Sequence, residues 1–298
     1  MNLKTRRLVA VVLTVAVFTV GIVIFIVLKK SSELEEPPLQ IEETETKSEV
    51  IGNSVQGRDI EAYTYLPRRQ AGGGGNHILF VGGIHGGYEW NSVLLAYEVM
   101  DYLEVNPEII PENVSVSVIP SLNPDGVYKI IGKEGRFNIS DGAEIPREDA
   151  RPGRFNANNV DLNRNFDCKW QPESTWQNQK VSAGQSPFSE PEAKALRDFV
   201  LKTEPKAVVF WHSRASAVYA SECEEGILPE TRQIMNLYSD ASGYQKVDSF
   251  DHYEITGDAE GWLASIGIAS ITVELETYAS LEFDKNLAGL KALLEYYR

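Results

Sequence analysis

Between residues 77 and 297, short apolar runs of strand character alternate with longer segments of helical period, and polar residues gather where the strands end. "HILFVGG" (77–83), "VSVSVIP" (114–120), "AVVFW" (207–211) and "SITVEL" (270–275) read as strands, the first and third as buried ones. "EWNSVLLAYEVMDYLEV" (89–105) and "LEFDKNLAGLKALLEYY" (281–297) carry helical apolar spacing. "SEPEAKALRDFVLKT" (189–203) opens with Ser189 and Glu192 at capping-box spacing and Pro191 in the first turn, so a helix is expected to start there. Alternation of this kind builds a single α/β/α domain with a mixed, largely parallel central sheet flanked by helices. In such folds ligands bind beyond the carboxyl ends of the strands. His85, the "NPDG" at 123–126, His212 and Glu274 each stand at or just past a strand end.

The rest of the chain sets the context. A formal net charge of -15 excludes nucleic acid as a partner, because that affinity comes from Lys and Arg neutralising phosphates. From Leu8 to Leu28 no charge interrupts the sequence, a span sufficient to cross a bilayer as a helix. A cleaved signal peptide is the competing reading, but the apolar run ends at Lys29 and Lys30 without a small-residue cleavage site. The expectation is a single-pass plasma-membrane anchor over residues 1–30 that contacts the lipid bilayer through 8–28. Lys4, Arg6 and Arg7 place the N-terminus in the cytoplasm and the remainder outside. Residues 31–48 are Glu-rich and hold almost no core-forming side chains, so they read as an acidic flexible stalk before a globular domain over 49–298.

Four histidines limit the choice of ligands. His77 reads as a strand residue and His252 as a solvated one. His85 and His212, taken singly, are each either a satisfied core histidine or a ligand. With Glu89 they complete a set of two histidines and one carboxylate that suits zinc and leaves a fourth position open. Arg151 and Arg214 read as ordinary solvated arginines.

"NPDG", "RFNANNVDLNRNFD" (154–167), "PFSEPEAKAL" (187–196), "WHS" (211–213), "HYEITGDAEGW" (252–262) and "TVEL" (272–275) resemble, in order, the motifs of zinc metallocarboxypeptidases of the carboxypeptidase A type. "IGNSVQGRDIEAY" (51–63) is similar to the start of their catalytic domain. The first ligand pair of that family is written with two intervening residues, whereas Gly86, Gly87 and Tyr88 separate His85 from Glu89 here. Adjacent glycines can take conformations closed to other residues and absorb the extra one.

The resemblance implies a zinc-dependent peptide hydrolase with one Zn2+ per domain, held by His85, Glu89 and His212, acting on peptides with a free C-terminal carboxylate. It makes Glu274 the general base, with Glu276 as fallback, and Arg154 the oxyanion stabiliser. Asn163 and Arg164 match the pair that grips the terminal carboxylate, and Tyr253 the tyrosine that closes over substrate. Counted from Tyr253, Glu260 falls at the side-chain pocket, with Asp258 two positions earlier, so basic C-terminal residues are expected to be preferred. Cys168 and Cys223, both near the catalytic face, are expected to be bridged outside the cytoplasm. Three further readings stay open: a cell-wall stem-peptide peptidase of the diaminopimelate type, an N-acyl-amino-acid deacylase, and a zinc-less peptide-binding pseudoenzyme.

Overall fold

The computed structural model describes residues 46–66, 75–250 and 253–298. The expected anchor, most of the stalk and His252 lie outside them. Among the described residues no helix is long and apolar enough to cross a membrane.

Eight strands make one sheet: β1 (Thr46–Asn53), β2 (Asp59–Tyr65), β3 (Asn76–Val81), β4 (Val114–Ile119), β5 (Ala207–Ser213), β6 (Ala217–Ala220), β7 (Gln245–Val247) and β8 (Ala269–Leu275). β5 is buried at every position, which fits a sequence apolar at consecutive rather than alternate residues and forces it into the sheet's middle. The order is β1-β2-β4-β3-β5-β8-β6-β7. β4, β3, β5 and β8 run parallel. β1 and β2 add antiparallel at one side, and β6 pairs antiparallel with β8 at the other. β1 begins at Thr46, so residues 46–48, read from sequence as the end of the stalk, already pair with β2.

The longer helices are α1 (Trp90–Val105), α2 (Pro124–Ile131), α3 (Pro191–Thr203), α4 (Pro229–Ser242), α5 (Ala259–Ser265) and α6 (Phe283–Tyr296). The two-residue period of the strands divides their side chains between two cores. Val209 and Trp211 with Ile271 and Val273 pack among α1, α4 and α6. Val208 and Phe210 face the opposite side, among Leu196 and Phe199 of α3 and Trp262 and Leu263 of α5. His212 and Glu274 continue this second set one step past Phe210 and Thr272, directly opposite each other in the β5–β8 register.

The capping box expected at α3 does not form. Glu190 is the N-cap residue and Pro191 the first helical one, while the Ser189 hydroxyl donates to Glu190 Oε1 at 2.8 Å. Glu192 is fully buried and accepts instead from the Val55 amide and from Asn156 Nδ2. A carboxylate that distant partners hold in the interior is unavailable to cap its own helix. "NPDG" is likewise scaffolding: Asn123 Oδ1 accepts from Gly126 N at 2.9 Å to cap α2, and Asp125 accepts from Ser54 Oγ and Gln56 N.

The three residues between His85 and Glu89, together with Glu89 itself, form a four-residue 3-10 turn, Gly86–Glu89, that runs into α1. Gly86 sits at φ 45°, and a Cβ there would stand 2.6 Å from Gly153 O and 2.9 Å from Gly126 Cα. One on Gly87 would meet Gly126 O and Ile130 Cβ, both at 2.6 Å. Backbone therefore packs on backbone, and only glycine leaves that space. Gly87→Ala should destabilise the chain by about 1–3 kcal/mol through overpacking. At this size that corresponds to a fall of roughly 5 °C in Tm. A thermal melt unchanged from wild type would show that the turn yields and that the packing is not required.

Candidate active site

His85 leaves β3 and Glu89 opens α1, while His212 lies near the end of β5. Three separate segments thus deliver ligand-type atoms that all lie within 4.8 Å of one another. Each of the three residues is only 3% exposed. Burying such groups is costly unless they are paired or hold a cation. Part of the pairing is present: Glu89 Oε2 lies 3.2 Å from His212 Nδ1 and accepts from the Ser213 amide at 3.1 Å. The His85 and His212 rings meet edge to face at 4.8 Å.

Other atoms remain without partners. His85 Nδ1, His212 Nε2 and Glu274 Oε2 are buried with no hydrogen bond among the described residues. His212 Nε2 is 3.2 Å from Glu260 Oε1 but out of line for a hydrogen bond. One ligand atom from each of two imidazoles and a carboxylate, gathered within 4.8 Å, is the donor set zinc takes, so these residues fit that metal.

Arg154 and Asp161 support the cluster. Arg154 Nε donates to Asp161 Oδ2 at 2.8 Å, its Nη1 lies 3.7 Å from Glu89 Oε1, and its guanidinium covers the Trp176 ring at 4.4 Å. Asp161 Oδ1 stands 3.7 Å from His85 Nδ1 and accepts from the Asn163 amide. Asp161 was not singled out by sequence reasoning. Its signal was present, an acid inside "VDLNRNFD" two residues ahead of Asn163.

Asn163, Arg164, Tyr253, Asp258, Glu260 and Glu274 line one cleft of about 700 Å3, whereas Glu276 and Cys223 are outside its lining. Asn163 Oδ1 accepts from the Ala259 amide at 2.8 Å, which turns its Nδ2 loose as a donor. Arg164 is buried, with Nε unpaired. Tyr253 faces the cleft, its ring edge-on to Phe250 at 4.8 Å. Asp258 caps α5 through Gly261 N at 2.7 Å, and Glu260 Oε1 accepts from Thr272 Oγ1 at 2.9 Å. Glu260 is therefore held against His212 and Thr272 rather than standing free at the cleft floor. Glu276, the fallback base, is exposed and pairs with Lys285 at 3.3 Å. Cys168 and Cys223 form a disulfide that ties the segment after Arg164 to the strand Glu222–Cys223. Arg214, read from sequence as solvated, is exposed but stands in the cleft wall with Tyr88, Trp176 and Tyr278.

Burial dominates the site's electrostatics. It pushes Glu274 up to about 8, with the neighbouring Glu89 carboxylate adding to the effect. Burial and the adjacent Glu260 raise Asp258 to about 6. His85 is driven well down by burial and then by Arg154. Burial opposes charge on His212 too, but Glu260 and Glu89 overcome it and raise that ring to about 10.

The zinc carboxypeptidase (peptidase M14) family matches residues 40–284. Gamma-D-glutamyl-L-diamino acid endopeptidase 1 of Lysinibacillus sphaericus is 26% identical over 224 residues, which cover 68% of this chain and 54% of that protein. Murein peptide amidase A of Escherichia coli K12 is 28% identical over 155 residues, 48% of this chain and 60% of the relative. The chain spans about half the length of the first of these. Among solved structures, thrombin activatable fibrinolysis inhibitor superposes with a TM-score of 0.65 at 20% identity, over 86% of this chain and 68% of that one. That likeness is one of fold.

The elevated Glu274 yields a test of the metal-free protein. Between about 4.5, its ordinary value, and about 8 the folded state keeps a proton that the unfolded chain releases. The contribution of Glu274 to stability then falls as pH rises through that window. Denaturation of chelator-treated protein should show this decline, and Glu274→Gln should flatten it. Identical profiles for the two proteins would assign the effect to another group.

Proposed function

This chain belongs to the zinc carboxypeptidase family, and on that premise we propose that it hydrolyses the bond preceding a C-terminal residue that carries an amine or guanidinium. The observation that supports the side-chain preference is the pair of acids at the cleft, Asp258 at the N-cap of α5 and Glu260 in its first turn. Asn163, fastened to the same turn through Ala259 N, stands beside Arg164. A terminal carboxylate on Arg164 and Asn163 therefore leaves its own side chain next to the two acids. A guanidinium fits that carboxylate in two-pronged fashion.

His85, Glu89 and His212 would hold the zinc. Bound there, it would supply Lewis-acid polarisation of the scissile carbonyl and a lowered pKa for water. Glu274, buried with Oε2 unpaired, takes the proton of the attacking water and passes it to the leaving amine. Arg154, fixed by Asp161, presents positive charge to the developing oxyanion without having to reorganise. Tyr253 covers the bound substrate with its apolar ring and offers a hydroxyl.

A second reading is favoured by two relatives, one named for a gamma-D-glutamyl-L-diamino acid bond and one for murein peptides. A diamino acid presents an amine and a carboxylate together, the two groups this cleft is arranged to receive. Under either reading the domain works outside the cytoplasm, tethered by Leu8–Leu28. The uncharged run in the sequence and the Cys168–Cys223 bridge support that placement.

Elemental analysis is expected to give one zinc per chain. Its absence after purification in zinc-containing buffer would favour a peptide-binding pseudoenzyme. Matched peptides ending in Lys or diaminopimelate should exceed those ending in Phe or Glu by about tenfold or more in kcat/KM, the size of one charge-assisted contact. Phe equal to Lys, with Glu260→Gln and Asp258→Asn both unchanged, removes the side-chain assignment. Glu274→Gln should cost about 10²–10⁴-fold in kcat with zinc retained, whereas Glu276→Gln stays near wild type.

A further inference from the structure

The cleft has a second wall, away from α5, whose chemistry differs from that of the acid pair. Tyr88, Trp176 and Tyr278 line it, with Tyr88 and Trp176 edge to face at 5.1 Å and Tyr88 and Tyr278 tilted at 5.7 Å. Arginines surround these rings in a chain whose net charge is -15. Arg147 Cζ lies 3.0 Å from the centroids of both Tyr88 and Tyr278, and its Nη1 donates to the Tyr88 carbonyl. Its Nε and Nη2 are buried without a hydrogen-bond partner among the described residues. Arg151 covers Trp176 at 4.5 Å. Arg214 follows His212 and Ser213 directly, lines the cleft, and holds its guanidinium 5.5 Å from the Tyr278 ring. No carboxylate among the described residues pairs with Arg214 or Arg147, whereas Arg154 nearby is engaged by Asp161.

A cation fixed between aromatic faces and a free guanidinium beside it attract an anion, and neither is in an ion pair among the described residues. The position says which anion. Granting the proposed function, the leaving residue occupies Arg164, Asn163 and α5. The acyl half of the substrate must then pass His85, Glu89 and His212 and emerge against the wall of Tyr88, Tyr278 and Arg214.

We propose that this wall binds a carboxylate on the residue at the acyl side of the cleaved bond. Arg214 contacts that carboxylate and determines specificity. Arg147 is a positioning residue: it clamps Tyr88 and Tyr278 and fixes the shape and charge of the surface Arg214 works from. The carboxylate has two chemical sources, the side chain of an α-linked acidic residue or the free α-carboxylate of a γ-linked glutamyl residue. The preference is thus for a substrate anionic on the acyl side and cationic on the leaving side.

The test uses the full-length zinc-loaded chain and two pairs of peptides, all ending in Lys. In one pair the acyl-side residue is α-linked Glu or Gln; in the other it is γ-linked glutamate with a free α-carboxylate or an α-carboxamide. We expect the carboxylate member of at least one pair to be favoured by about tenfold in kcat/KM, the strength of a charge-assisted hydrogen bond. The pair that responds identifies the linkage. The ratio should collapse toward one in Arg214→Gln and shrink with added salt. Arg147→Lys, which keeps the charge and loses the planar clamp, should raise KM for the carboxylate member alone. The same order should appear in Kd on Glu274→Gln, where binding is read without turnover. Ratios near one in both pairs, or a ratio that survives Arg214→Gln, overturn the proposal. The Lys-over-Phe preference at the C-terminus is measured on the same proteins. Its loss with the carboxylate ratio intact refutes the leaving-side reading alone.

Discussion

Glu274 stands beside His212 because β8 and β5 run parallel and in register, and the rest of the site depends on that pairing. An acid and an imidazole at the ends of two central strands, at the base of a cleft, have little water to solvate them, so neighbouring groups must. Glu89, brought in at the start of α1, meets His212 and the Ser213 amide. Arg154 approaches Glu89 and is itself held by Asp161, which also borders His85. Removing any one member would leave a buried charge or dipole unpaired, a loss larger than the net value of the contact itself. The sheet register thus fixes an electrostatic problem, and the surrounding loops supply its solution.

Much of this was legible in the sequence because it follows from short-range periodicity. Consecutive apolar residues at 207–211 identify a central strand, and polar residues at strand ends mark where a ligand sits. His85, Glu89 and His212 were legible as a set on chemistry alone, as two histidines and one acid just past apolar strands. What stayed illegible depends on tertiary partners. Ser189 and Glu192 have capping-box spacing, but Glu192 turns inward to Val55 and Asn156, residues distant in sequence. Arg214 looked like any surface arginine, and only the return of Tyr278 from beyond β8 places it in a cleft wall. Glu260 could be aligned to a pocket by counting, yet its contact with His212 depends on how α5 approaches β5.

The two walls of the cleft divide charge by sign. Asp258 and Glu260 stand at the start of α5, and Arg147, Arg151 and Arg214 surround the tyrosines and tryptophan that line the cleft elsewhere. The cluster of His85, Glu89 and His212 lines the same cleft, so under the proposed reading a chain with opposite charges flanking one bond would be oriented before any covalent step. Orientation of this sort lowers the entropic part of a barrier. An acidic net charge does not preclude the anionic group proposed for the acyl side, because local recognition is set by the few residues that face the substrate.

The turn joining His85 to Glu89 touches Gly126 and Gly153 through main-chain atoms, with no room for side chains between. Selection can adjust a contact made by side chains one methyl group at a time, but main chain pressed on main chain offers no such gradation. The exposed side chain of Arg214 at the cleft rim is under no such main-chain constraint. Substrate range can diverge there while the residues that gather around the central cluster remain locked in position.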